Sequence, residues 1–256
     1  MLNINREGAI GILSFNRPER HNALNDELAE AFTEALDRYI ADDSIRVIVL
    51  RGEGPSFCSG RDTSQLGHRA REESDYNFVL RHQQARLRQL DCPKPIIAAL
   101  KGAVLGGGCE IALAADIRVS STELKMALPE ITYGLVTDTG GSQLLTALIG
   151  RARAKYMLFT GARIDAQTAL AWGAVDFVVA PDQLDAKVME IARQIASRSP
   201  LALAFAKQLV DQFDAPAIRR GFGAELIAQT AMFSSADYRE ARAAIREKRV
   251  PDFTGK

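Results

Sequence analysis

The chain has 256 residues, 47% of them hydrophobic and 25% charged, the profile of a soluble globular protein able to bury a core without disulfide or metal staples. Lysine plus arginine total 32 and aspartate plus glutamate total 32, so the net charge is zero, which argues against a generic nucleic-acid binder and leaves only a local basic patch. Cys58, Cys92 and Cys109 are widely spaced and form no CxxC, which disfavours a disulfide framework or zinc site and points to a reducing, cytoplasmic setting.

Residues 1–8 are polar and lack the apolar stretch of a secretory signal, and no apolar run is long enough to predict a membrane span. Ile10 to Phe15 reads as a strand, ended by the Pro18-containing turn Asn16-Arg17-Pro18-Glu19-Arg20. Asn25 is placed to cap a helix whose Leu28, Ala31, Phe32, Ala35, Leu36 and Tyr39 recur at helical spacing. Val47-Ile48-Val49-Leu50 is an unbroken apolar run between Arg46 and Arg51, the pattern of a strand buried on both faces. Residues 67–73 read as a polar loop, and 66–87 as a variable segment whose path is not derivable. Ile96 to Leu100 is a further strand, then helix over 111–115 and strand over 117–120. Helices follow over 140–149, over 151–159 and from Asp165 to near Gly173, with a strand at 175–179. From Leu184 onward the pattern is helical, with Val188, Ile191, Ala192 and Ile195 on one face. Strand–helix alternation followed by helices predicts an α/β core with a helical C-terminal region.

Two glycine turns end apolar strands. Gly106-Gly107-Gly108-Cys109-Glu110 opens a helix, where free N–H groups can bind an anion or a developing oxyanion and an acid favours the helix start. It fits neither G-x-G-x-x-G nor the Walker pattern, and alone it is equally a tight connection. Phe57-Cys58-Ser59-Gly60-Arg61-Asp62 is the second turn, and two such turns can each offer one N–H to the same oxygen.

Asn16-Arg17-Pro18, Asn22-Ala23-Leu24-Asn25, both glycine turns, Ala115-Asp116-Ile117-Arg118, Pro129-Glu130, Gly140-Gly141-Ser142-Gln143 and the ending Glu247-Lys248-Arg249-Val250-Pro251-Asp252-Phe253 occur in order across nearly the whole chain. Together they resemble the enoyl-CoA hydratase/isomerase (crotonase) family. The resemblance implies a crotonase-like spiral of ββα units over 1–195, with 196–256 as a helical trimerisation region assembling homotrimers or hexamers. It implies acyl-CoA thioester substrates, with coenzyme A entering as part of the substrate and no separate cofactor, metal, nucleic acid or membrane. It places an oxyanion hole on the backbone N–H groups of Arg61 and Gly107, and an acid–base pair on Glu110 and Glu130.

That pair implies hydration of a 2-enoyl-CoA. Asp138, in Gly134-Leu135-Val136-Thr137-Asp138-Thr139-Gly140-Gly141, departs from the hydratase pattern by standing where a glycine is usual. It has two readings: a third acid that shifts a double bond, as in isomerase branches of the family, or an N-cap of the following helix. A non-catalytic acyl-CoA-binding or RNA-binding relative is the remaining alternative. For the CoA moiety the resemblance implicates Arg20, Lys248, Ala23, Ser59 and Asp62, the two basic residues being equally readable as solvated charges. His21, His68 and His82 are expected in loops or on the surface, while Met126, Leu128 and Trp172 are expected to pack.

Overall fold

A computed structural model describes residues 1–67 and 72–256; His68 and the middle of the 67–73 loop lie outside the described residues. Strands β1 (Leu2–Glu7) and β2 (Ile10–Phe15) form an antiparallel hairpin. From β2 the sheet continues in parallel through β3 (Val47–Gly52), β4 (Ile96–Leu100), β6 (Ile117–Ser121) and β9 (Phe177–Val179). Strands β5 (Ala103–Leu105), β7 (Lys125–Ala127) and β8 (Ile164–Asp165) form a second, small sheet.

Burial on both sheet faces explains the unbroken apolar runs. Side chains alternate across a strand, so Ile48 and Leu50 of β3 enter one core with Leu13, Phe15, Ile96 and Leu100. Val47 and Val49 enter the other, with Ile10, Ile12 and Ile97. Helix α1 (Asp26–Ala41) covers the first core through Leu28, Phe32, Ala35 and Leu36. Its cap is Asn25, whose side chain accepts the Leu28 N–H. Helix α7 (Leu184–Ala196) covers the second core through Leu184, Val188, Ile191 and Ala192.

Between them the chain winds as two strands and a helix: β4, β5 and α3 (Gly107–Leu113), then β6, β7, a 3-10 turn at Glu130–Tyr133 and α4 (Gly141–Ile149). Helices α5 (Arg151–Thr160) and α6 (Ala166–Trp172) complete this part. Each turn of the winding brings a strand-to-helix junction to the same end of the sheet.

Besides the short strands β5, β7 and β8, two elements depart from the sequence expectation. Residues 1–8, read only as polar, contain β1, an edge strand whose backbone is held by β2 and whose side chains stay largely exposed. Part of the segment without a derivable path is helix α2 (Asp75–Leu90), whose buried face carries Gln83, Arg86 and Gln89 beside Phe78 and Val79.

The C-terminal helices divide. Helix α8 (Pro200–Asp211) has no buried residue. Helix α9 (Ala215–Phe233) lies across α2 and α4, and α10 (Ala236–Glu247) packs on the Glu130–Tyr133 turn. Among the described residues, no helix is long and apolar enough to cross a membrane.

Candidate active site

The two glycine turns meet. Leu24 and Arg61 form a parallel bridge in which the Leu24 N–H donates to Gly60 O (2.7 Å) and the Asp62 N–H donates to Leu24 O (2.9 Å). The N–H of Arg61 therefore points away from Leu24. The Gly106–Glu110 turn is reached through a bridge between Cys58 and Val104, and Gly106, at φ +51°, leads into α3. Gly107 is the first residue of α3, so its N–H has no acceptor within the helix. Arg61 and Gly107 border one cavity of about 590 Å³, together with Glu110, Glu130, Asp138 and Thr139.

Glu110 lies in the first turn of α3, 2% exposed. Its Oε1 accepts the N–H groups of Thr139 and Gly141, both at 2.9 Å, and its Oε2 accepts the Thr139 hydroxyl at 2.7 Å. A side chain at Gly141 would place its Cβ 2.8 Å from that Oε1, so the glycine makes room for the carboxylate. Glu130 opens the 3-10 turn after Pro129, and a Cβ at Gly106 would lie 2.9 Å from its Oε1. Its Oε2 is buried without a partner. Burial, then the negative charge of Glu110, holds the Glu130 carboxyl well above the usual carboxylate range.

Asp138 does not cap α4. The cap position is Gly140, at φ +95°, and no side chain of the cap itself bonds the helix. Glu225 of α9 satisfies the helix start instead. It accepts the Gly140 N–H (2.7 Å), the Ser142 N–H (3.0 Å), the Ser142 hydroxyl (2.5 Å) and the Thr137 hydroxyl (2.9 Å). Gln229, one turn further along α9, accepts the Val136 N–H (3.1 Å) and donates to Asp138 Oδ2 (3.3 Å). From α2, Gln83 donates to the Asp138 carbonyl (2.8 Å). Asp138 borders the cavity, and burial with the charges of Glu110 and Glu225 raises its carboxyl well above the ordinary range.

Burial, and then the charge of Glu110, also lifts Glu225 to about 7. A carboxyl with a raised folded-state pKa binds its proton more tightly folded than unfolded. Its contribution to stability is therefore greatest at low pH and falls as pH rises from the ordinary glutamate range to about 7. Glu225→Gln turns one acceptor into a donor facing N–H or O–H groups, and is expected to cost about 1–3 kcal/mol. Denaturant melts between pH 4 and 8 should show both the loss and a flatter profile; an unchanged profile rejects the assignment.

The sequence profile of the enoyl-CoA hydratase/isomerase family matches residues 5–256. The chain belongs to this family. It is 34% identical to the 2,3-dehydroadipyl-CoA hydratase of Escherichia coli over 99% of this chain and 98% of that one. It is also 34% identical to the 1,2-epoxyphenylacetyl-CoA isomerase of the same organism, over 98% and 97%. An enoyl-CoA hydratase/isomerase structure from Pseudoalteromonas atlantica superposes with a TM-score of 0.90 at 32% identity, over 99% of both chains. The crotonase-like fold expected from the motifs is the fold observed.

Enoyl-CoA hydratase/isomerase family members act on acyl-CoA thioesters, and the residues implicated for the CoA part separate into two groups. Arg20, Ala23, Ser59 and Asp62 lie together. The Ala23 N–H and the Ser59 hydroxyl both reach Arg20 O, at 3.0 and 3.4 Å, and Arg17 links Ala23 O to the Asp62 carboxylate. The Asp62 carboxylate is taken up by Arg17 and Ser64, its N–H by Leu24 O and its carbonyl by the Gln65 N–H. Lys248, exposed at the end of α10, does not border the cavity.

His21 is exposed as expected, whereas His82 is a correction. It sits half-buried on α2 and borders the cavity, because the helix that carries it was not foreseen. Met126 and Leu128 are core residues. Among the described residues, no group of His, Cys, Asp and Glu is arranged to hold a metal. Thr139, Glu225 and Gln229 gave no signal in the sequence, since nothing local marks a helical Glu or Gln as buried.

Proposed function

We propose that this chain adds water across the 2,3 double bond of a 2-enoyl-CoA. The observation that carries the reading is the unpartnered, buried Glu130 Oε2 in the same cavity as Glu110 and the free N–H groups of Arg61 and Gly107. The thioester oxygen accepts from the two N–H groups, which favours the enolate over the neutral thioester by roughly 2.7–4 kcal/mol per donor. Water lies between the carboxyls. Glu110, supplied with donors fitted to a carboxylate, removes its proton as the hydroxyl adds to the β carbon. Electrons move to the thioester oxygen, and Glu130, kept protonated by burial and its neighbour, delivers a proton to the α carbon on the same face. Coenzyme A is part of the substrate, and the scheme needs no resident cofactor.

Mixing the protein with crotonyl-CoA and longer 2-enoyl-CoAs should remove the absorbance of the conjugated thioester. No turnover at any chain length would sink the reading. Full retention of turnover in Glu110→Gln and Glu130→Gln would remove both from the chemistry, and binding of acyl-CoA without turnover would make the chain an acyl-CoA-binding protein instead.

A second reading, a double-bond shift, is favoured by one observation: the Asp138 carboxyl borders the cavity and caps no helix. With carboxyls spaced along an acyl chain, one removes a proton while another delivers one further along. Asp138→Asn is then expected to abolish turnover of 3-enoyl or 3,5-dienoyl thioesters. An unchanged rate removes Asp138 from the chemistry. Self-association into a trimer or hexamer is supported by Leu201, Phe205 and Leu209 of α8, exposed by 66%, 55% and 71%; sedimentation of the purified protein as a monomer would refute it.

A further inference from the structure

The wall that α2 lends to the cavity is not one a plain alkyl chain would need. Pockets for apolar chains are lined by apolar side chains with a few placed polar groups. Here α2 lines the cavity with Arg81, His82, Gln84 and Arg86 beside Phe78 and Ala85, and Arg86 is only 7% exposed. Besides Glu130, four residues bordering the cavity each hold a buried polar atom with no partner: Arg61 Nη2, Gln65 Oε1, His82 Nε2 and Arg86 Nε. Buried polar groups are ordinarily satisfied, and a cluster of exceptions around one cavity marks what a ligand supplies.

Their chemistry is specific. Arg61 Nη2 and Arg86 Nε are donors. His82 Nδ1 lies 2.8 Å from the Phe78 carbonyl, which can only accept, so Nδ1 carries the hydrogen and Nε2 presents a lone pair. The arginines of this wall differ in their partners. Arg61 pairs with Asp26 (2.5 Å) and Arg81 with Glu73 (2.7 Å). Arg86 bonds only the Gln89 amide oxygen, and among the described residues no carboxylate lies within ion-pair distance of it. The nearest acids are committed elsewhere, Glu110 to Thr139 and Gly141, and Asp138 to Gln229. Burial of the guanidinium is costly; the charge of Glu110 offsets part of that cost, and a directly bonded carboxylate would offset more.

We infer that the acyl group taken by this site is a 2-enoyl chain ending in a carboxylate, which pairs with Arg86 and accepts from Arg61 Nη2. The inference deepens the acyl-CoA reading above and rests on it. It makes Arg86 a specificity residue, distinct from the carboxyls that move protons.

Two unreactive thioesters of equal carbon count, hexanoyl-CoA and adipoyl-CoA, test it by titration calorimetry on the full chain. The carboxylate ligand is expected to bind about 10- to 100-fold more tightly, the range of a charge-assisted hydrogen bond. Arg86→Met should bring the two affinities together, and Arg86→Lys should restore part of the difference. Equal binding, or tighter binding of hexanoyl-CoA, by the unaltered protein overturns the inference and leaves the acyl-CoA reading standing. This comparison decides even where the variants fail to fold. Failure of both thioesters to bind overturns both. If Arg86→Met slows crotonyl-CoA and the carboxylate-bearing substrate equally and leaves the binding preference intact, Arg86 serves the buried acids and the inference falls.

Discussion

Glu130→Gln is expected to lower kcat/KM on a 2-enoyl-CoA by about 10²- to 10⁴-fold, the usual contribution of a positioned acid or base. The change is nearly isosteric and removes the proton that the α carbon receives. It should not destabilise the fold, because the residue it replaces is a carboxyl buried with one oxygen unpartnered and beside the charge of Glu110. The thermal midpoint is expected to hold or rise as kcat falls, which separates a chemical role from a structural one. In the unaltered protein, activity should fall as pH climbs and Glu130 loses its proton. Asp138→Asn removes one of the charges that hold Glu130 up, after burial and Glu110, so that alkaline limb should move to lower pH. Steady-state kinetics across pH with crotonyl-CoA measure both effects, and full activity in Glu130→Gln would reject the assignment.

Gly60→Ala is expected to be the most damaging small substitution. Gly60 sits at φ +85°, where an L side chain is strained, and an added Cβ would lie 2.6 Å from Leu105 O and 3.4 Å from Gly106 Cα. Those atoms belong to the other glycine turn, so the methyl can be accommodated only by parting the segments that carry the Arg61 and Gly107 N–H groups. Backbone strain of about 1–3 kcal/mol and overpacking of similar size should lower the thermal midpoint. Misalignment of a single oxyanion donor should cut kcat about 10²- to 10³-fold on top of that. A folded Gly60→Ala protein with unaltered kcat would show that the approach of the two turns is not what positions the donors.

Legibility in the sequence followed the range of the interactions. The buried strands were readable because Val47 to Leu50 sit in a sheet covered on both faces, which leaves no polar position to interrupt the run. Asn25 was readable because a cap bonds three residues away. Gly106 to Glu110 and Pro129-Glu130 were readable only through their order along the family pattern. Helix α2 was hidden because Gln83, Arg86 and Gln89 occupy its buried face, so the hydrophobic spacing dissolves. Strands of two or three residues such as β5, β7 and β8 are too short to show a period. The cap reading of Asp138 failed because the acceptor for the α4 start comes from Glu225, 85 residues beyond Gly140.

That same separation sets an order of events in folding. Glu110 takes its donors from a segment some 30 residues on, but the segment itself is held by Glu225 and Gln229, which are fixed only when α9 docks across α2 and α4. Closing so long a loop is an entropic step repaid only at its end. During synthesis the sheet and both glycine turns can be in place while the Asp138 segment still hangs free. A partly made chain would then resemble the finished enzyme in its core while lacking its chemistry, and maturation of the catalyst would trail maturation of the fold.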